Sequence, residues 1–191
     1  GGCRYDNIMN LRVELEAIIK GDVDDSDETR NFYSHDASLF ELRPQVVVFP
    51  KDADDIKAVV NFVNEHKKDM PNLSVTARSR GTDMSGAAIN DSIILDVSRY
   101  MTAMRDVSAK SAVAEPGVMY KDFEVETLKH GVIMPSYPAS RDLAGIGGIV
   151  NNNSGGEKSL EFGKTDRYTK RMSMVLADGN LYEFEALNRD Q

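Results

Sequence analysis

Arg78-Ser79-Arg80-Gly81-Thr82-Asp83-Met84-Ser85-Gly86 carries almost no apolar side chain and directly follows a stretch of strand character, Leu73 to Ala77. A loop of that kind presents backbone. Gly81 and Gly86 permit positive φ and close approach, Thr82 and Ser85 add hydroxyl groups, and successive N–H groups in such turns form a concave nest for an anion. Phosphate is the anion that suits it; the plainer reading is a polar turn.

The flanking sequence gives this loop an α/β setting. Val46-Val-Val-Phe49 is a β-rich run ending at Pro50, and Asp52 stands where a helix N-cap belongs, ahead of Ile56, Val59, Val60 and Val63. Ser92 to Val97 reads as a further strand, so Gln45 to Val97 has a β-α-β rhythm. Upstream, Ile8, Leu11, Leu15, Ile18 and Ile19 stand at helical spacing before Gly21, which predicts a helix over Ile8 to Lys20. The acidic stretch from Asp22 to Glu28 has no periodicity and reads as a loop. It is no calcium loop, because it lacks the Gly at the sixth position and the Glu at the twelfth. Downstream, Ser111 to Glu115 predicts a strand, Tyr120 to Lys129 a helix closed by Gly131, and Ser173 to Leu176 with Leu181 to Phe184 a hairpin around Asp178-Gly179.

A second segment is as unusual as the first. Pro138 to Gly156 holds five glycines and three consecutive asparagines, a composition that few packed helices or strands tolerate. With Leu143, Ile146, Ile149 and Val150 interleaved, it reads as backbone held against a large flat ligand, or as two structural turns joined by a short buried strand.

Composition narrows the function classes. The 191 residues are 41% hydrophobic, enough for a sizeable core, and 31 acidic against 23 basic residues leave a net charge of −8. A phosphate-backbone partner needs clustered Lys and Arg, so nucleic acid is not expected. The one cysteine, Cys3, excludes a disulfide within the chain, and a reducing cytoplasm is the simplest compartment. No apolar run is long enough to cross a bilayer and no leader is read at the start. Gly163-Lys164-Thr165 fails as a nucleotide-triphosphate loop because Lys158 stands where a glycine is required, and Gly145-Ile-Gly147 fails as a dinucleotide fingerprint because position 150 is Val. His35, His66 and His130 are scattered, so no metal site is expected.

Six stretches, in order, carry a family resemblance: Pro44-Gln-Val-Val-Val-Phe-Pro50, the Arg78 to Gly86 loop, Gly145-Ile-Gly-Gly148, Asn153-Ser-Gly155, Phe162-Gly-Lys-Thr165 and Val175-Leu-Ala-Asp-Gly179. The chain resembles the FAD-binding domains of the vanillyl-alcohol-oxidase, or p-cresol methylhydroxylase (PCMH), type. Within that superfamily it is similar to the bacterial D-2-hydroxyacid dehydrogenases: glycolate oxidase subunits, D-lactate dehydrogenases and D-2-hydroxyglutarate dehydrogenases. The resemblance implies an α+β fold, a PCMH-type FAD-binding domain of two α/β lobes truncated at the C-terminus. The implied division is an N-terminal segment with one helix over 1–30, a first FAD-binding lobe over 31–110, part of a second over 111–191, and no substrate domain.

It also implies roles. The first loop, Arg78, Ser79, Arg80, Gly81, Thr82 and Asp83 with Gly86 closing the turn, would hold the FAD diphosphate through backbone amides. The second segment would line the flavin and ribityl chain through Ala139, Ser140, Gly145, Gly148, Asn152, Asn153, Ser154 and Gly155. The family usually has Gly at position 80 and Thr at position 145. Thr82 stands where members with covalently attached flavin carry His, so FAD is expected to be non-covalent. The implied reaction is oxidation of a small 2-hydroxyacid by hydride transfer to flavin N5, followed by an unidentified electron acceptor. The catalytic base and any metal would lie in a C-terminal domain, and this stretch alone is expected to retain FAD weakly or not at all through purification. Two other readings are a non-catalytic binding module that keeps the fold without FAD, and a sugar oxidoreductase of the same fold.

Overall fold

The computed structural model describes residues 10–187. Asn10 opens helix α1 (Leu11–Glu16) by accepting the N–H groups of Arg12 and Val13. The helix is shorter than its apolar spacing predicts: Leu11 and Leu15 are buried, Ile18 is largely exposed, and Ile8 and Cys3 lie outside the described residues.

The acidic stretch that follows is not a loop. Val23 is its one apolar residue, and burying it opposite Val48 makes Asp22–Asp24 a strand, β1. Ser26 then caps helix α2 (Asp27–Phe32) by accepting the N–H of Thr29, with Asp27 and Glu28 in the first turn, where acidic side chains favour the helix dipole.

β1 pairs antiparallel with β2 (Val46–Phe49), and Asp52 caps α3 (Ala53–His66) by accepting the N–H groups of Asp54 and Asp55, as its position predicts. The chain returns as β3 (Val75–Arg78) and β4 (Ile93–Asp96), and the sheet order is β1-β2-β4-β3, with β4 parallel to both neighbours. β2 and β4 are buried on both faces, which is why they read as unbroken apolar runs. One face packs Val46, Val48, Ile93 and Leu95 against Val59 and Phe62 of α3 and Leu11 and Leu15 of α1. The other packs Val47, Phe49 and Ile94 against Tyr33. Loop 79–86 leaves the carboxyl end of β3, the edge of a parallel sheet where ligands gather.

The remaining elements build a second core. Met104–Arg105 and Val113–Ala114 form a short antiparallel pair, β5 and β6. Helix α4 (Tyr120–Leu128) follows and is closed by Gly131 at φ +74°. Val118, Tyr120, Tyr137 and Ala144 pack with Ile146 and Ile149 of α5 (Ile146–Asn151). A short helix α6 (Ser159–Phe162) leads to the antiparallel hairpin β7 (Arg171–Val175) and β8 (Leu181–Glu185), whose turn holds Gly179 at φ +77°. That turn rests on α3, where Asn64 Nδ2 donates to the Ala177 carbonyl at 2.7 Å. No helix among the described residues is long and apolar enough to cross a membrane.

Candidate functional site

Loop 79–86 is held from below by a buried polar cluster. The Arg78 guanidinium donates to the His35 carbonyl at 2.7 Å, lies 5.0 Å from the centre of the Tyr33 ring, and fills the space under Gly81 so closely that a Cβ there would meet Nη2 at 2.5 Å. Burial pushes the Arg78 pKa down from its ordinary value. The Tyr33 hydroxyl donates to Asp96 Oδ2 at 2.7 Å, and burial first, then Asp96, pushes the phenol upward. The Arg78 side chain is thus committed to supporting the loop. Gly81 and Gly86 adopt φ +63° and +83°, the left-handed conformations that their positions suggest.

Asp83 folds the far half of the loop onto itself. Its Oδ2 accepts the Ser85 N–H at 2.8 Å, the Ser85 hydroxyl at 2.8 Å and the Ala87 N–H at 2.9 Å. These bonds, that of Ala87 foremost, hold its carboxyl below the ordinary 3.8. Because the folded pKa lies below the unfolded one, the contribution is complete above pH 3.8 and is lost as pH falls through the folded value. Asp83→Asn is expected to lower stability by about 1 kcal/mol at neutral pH. Thermal melting of both proteins along a descending pH series checks this: the gap should close in acid, and a gap independent of pH contradicts the assignment.

The near half of the loop is left open. Among the described residues, none of the backbone N–H groups of residues 79–84 donates a hydrogen bond. Arg80, Gly81 and Thr82 line an open cleft of about 620 Å³ with Asn31, Phe32, His35, Asp36, Met119 and Leu143. Asp36 Oδ2 is buried without a partner among the described residues, leaving one acceptor for a hydroxyl or amine donor.

The second glycine segment meets the first at Ser79. A Cβ at Gly145 would lie 2.1 Å from Ser79 Oγ, and one at Gly148 would lie 3.7 Å from Ser79 Cβ. The hub is the Pro116 carbonyl, which accepts both the Ser79 hydroxyl at 3.1 Å and the Gly147 N–H at 2.9 Å. Residues 116–120 run beside residues 144–147, with Ile146 N–H to the Val118 carbonyl at 2.8 Å and Tyr120 N–H to the Ala144 carbonyl at 2.9 Å. These bonds make a helix of the Gly145 stretch where composition argues against one. The reading of two structural turns joined by a short buried strand is corrected here: residues 146–151 are helical, and Gly147 is needed because Pro116 Cβ would sit 2.5 Å from a side chain.

The other residues of the second segment make different contacts. Ala139 is exposed, and the Ser140 carbonyl accepts the N–H groups of Leu143 and Ala144. Asn153, at φ +45°, accepts the Asp166 N–H through Oδ1 at 2.9 Å. The Ser154 carbonyl accepts the buried Thr165 hydroxyl at 2.8 Å, the Asn152 amide donates to Ser154 Oγ at 3.4 Å, and Gly155 packs on Ser159 and Lys164. Ser79, Arg80, Gly145 and Gly148 thus come together, whereas residues 152–155 are tied to the Thr165 turn. Sequence reasoning missed Pro116, Gly117, Tyr33 and Asp36. The Pro-Gly pair after a predicted strand was a legible turn signal for the first two. Among the described residues no group of three or more His, Cys, Asp or Glu could hold a metal.

Comparison with known proteins places this geometry. The chain is 29% identical over 171 residues to the D-2-hydroxyglutarate dehydrogenase of Haemophilus influenzae, 88% of this chain and 16% of that one. It is 28% identical over 162 residues to the glycolate oxidase subunit GlcD of Bacillus subtilis, 83% of this chain and 33% of that one. The chain therefore spans a third or less of the length of these relatives. Among solved structures it is similar to alkyldihydroxyacetonephosphate synthase (TM-score 0.76, 20% identity, 93% of this chain and 34% of that one). It is likewise similar to 6-hydroxy-D-nicotine oxidase of Arthrobacter nicotinovorans (TM-score 0.74, 23% identity, 87% and 36%). These likenesses show the fold, that of the PCMH-type FAD oxidases, in its mixed helices and sheets. Residues 44–185, from the strand that starts the parallel sheet to the end of the last hairpin, match the model of the FAD binding domain, and the chain belongs to that family.

Proposed function

We propose that this chain is the FAD-binding part of an oxidoreductase that oxidises a D-2-hydroxyacid to the 2-oxoacid, with FAD held non-covalently between the loop 79–86 and the Gly145–Gly148 turn. The observation that carries the reading is the run of backbone N–H groups at residues 79–84 with no acceptor among the described residues, beside a cleft. A diphosphate supplies acceptors for such a run, and hydrogen bonds to a charged acceptor are stronger than neutral ones. Arg78 keeps the loop in place, Asp83 fixes its far half, and the Ser79 to Pro116 bond holds the two glycine segments together. Phe32, Met119 and Leu143 offer apolar surface to a planar ring, with Phe32 and Leu143 largely exposed as they stand. Thr82, which lines the same cleft, lacks the imidazole nitrogen through which a histidine at this position would attach a flavin. The chemistry FAD supplies when bound is two-electron acceptance at N5, with the substrate's hydroxyl proton leaving to a base. We assign that base to no residue of this chain. The substrate class is supported by the D-2-hydroxyglutarate dehydrogenase and glycolate oxidase relatives.

Titration with FAD, followed by quenching of flavin fluorescence, tests this reading. Saturable, reversible uptake is expected, with riboflavin bound at least about tenfold more weakly because it lacks the diphosphate. Acid precipitation should leave the flavin in the supernatant. Equal affinity for FAD and riboflavin, or no uptake by the intact flavoprotein, contradicts the reading. In the intact flavoprotein, D-2-hydroxyacids and not sugars should reduce an artificial acceptor.

A further inference from the structure

Arg80 combines three features that its neighbours do not. It is exposed, it makes no ion pair with any described residue, and it lines the cleft beside the unpaired N–H groups. The other arginine of the cleft, Arg78, is turned inward on carbonyl oxygens, and the Asp83 carboxylate is taken up by Ser85 and Ala87. Arg80 is therefore the exposed arginine of this wall. In a chain with a net charge of −8, a dianionic group approaching the cleft meets an unfavourable overall field. A single unpaired guanidinium at the mouth of the nest counters that locally, and its planar fork matches phosphate oxygens.

The neighbouring glycine explains why an arginine fits here. A Cβ at Gly145 would lie 3.3 Å from Arg80 Cγ as well as 2.1 Å from Ser79 Oγ, so the stem of Arg80 occupies the space that a side chain at position 145 would take. With no side chain at position 145, that space is free for the Arg80 stem. Arg80 itself keeps a negative φ, so its Cβ brings no backbone strain.

We propose that the Arg80 side chain is a second, ionic element of diphosphate recognition, added to the backbone nest, and that the missing side chain at Gly145 leaves it room. This rests on the FAD reading above. The test is FAD titration of wild type, R80M, R80K, G145T and R80G/G145T over a range of salt concentrations, with thermal melting to confirm folding and riboflavin as the ligand without phosphate. R80M is expected to weaken FAD about tenfold at low salt, to flatten the salt dependence, and to leave riboflavin affinity unchanged. R80K should retain most of the salt dependence. G145T should weaken FAD in the wild-type background and less beside R80G, where loss of the Arg80 stem gives the new side chain and the displaced Ser79 hydroxyl room. If wild type takes up FAD while R80M matches it in affinity and salt dependence, Arg80 has no such role and the FAD reading stands. If G145T is equally damaging with and without R80G, the coupling is wrong. If the intact wild-type protein takes up no FAD, both fail together.

Discussion

Gly145→Val is expected to weaken FAD uptake by about 2 kcal/mol, close to thirtyfold, without unfolding the parallel sheet. The backbone at Gly145 has φ −100° and ψ 149°, which valine adopts freely, so the effect comes from space alone. The first atom of the new side chain would lie 2.1 Å from Ser79 Oγ. Relief requires Ser79 to rotate, which breaks its 3.1 Å bond to the Pro116 carbonyl, and then Arg80 Cγ at 3.3 Å is the next obstacle. Losing that bond costs about 1 kcal/mol and the overpacking adds about 1 kcal/mol or more. FAD titration beside a thermal melt measures both consequences. Affinity within about threefold of wild type would mean that the seam at Ser79 does not govern the site.

The largest loss of stability is expected at Gly117. A Cβ there would meet the Val97 carbonyl oxygen at 2.3 Å, the Met101 carbonyl oxygen at 2.6 Å and Ser98 Cα at 2.8 Å. All three are backbone atoms, so no rotamer change relieves the contact. The close approach is itself needed, because the Gly117 N–H donates to the Met101 carbonyl at 2.8 Å and brings the first core against the Pro116 hub. Gly117→Ala is expected to destabilise the protein by about 3 kcal/mol, a fall in melting temperature of about 10 °C for a chain of this size. A melting temperature within about 2 °C of wild type would show that the two cores separate there at little cost.

Much of the scaffold was legible because local signals agreed with it. The unbroken run Val46–Phe49, the Asp52 cap and the Asp178-Gly179 turn each name their element from neighbouring residues, and the structure places β2, α3 and the β7–β8 hairpin accordingly. Gly81, Gly86 and Gly131 take the positive φ that their settings suggest. What failed depended on partners far along the chain. Val23 makes a strand of an acidic stretch only because Val48 lies opposite, and the Gly145 stretch becomes helical only because Val118 and Pro116 fix its first N–H groups. The site shows the same division. The composition of loop 79–86 pointed to exposed backbone, but nothing local could reveal that Ser79 reaches a carbonyl at Pro116, or that Arg78 turns inward while Arg80 lines the cleft.

The central claim is that the amides of residues 79–83, which have no acceptor among the described residues, receive the cofactor's diphosphate. Backbone amide chemical shifts recorded during addition of FAD test it residue by residue. The expected result is that Ser79, Arg80, Gly81, Thr82 and Asp83 move together and saturate with FAD, and move less with riboflavin. If those amides stay fixed while shifts gather at another concavity, such as the one lined by Asn10, Arg12 and Gln45, the account is contradicted.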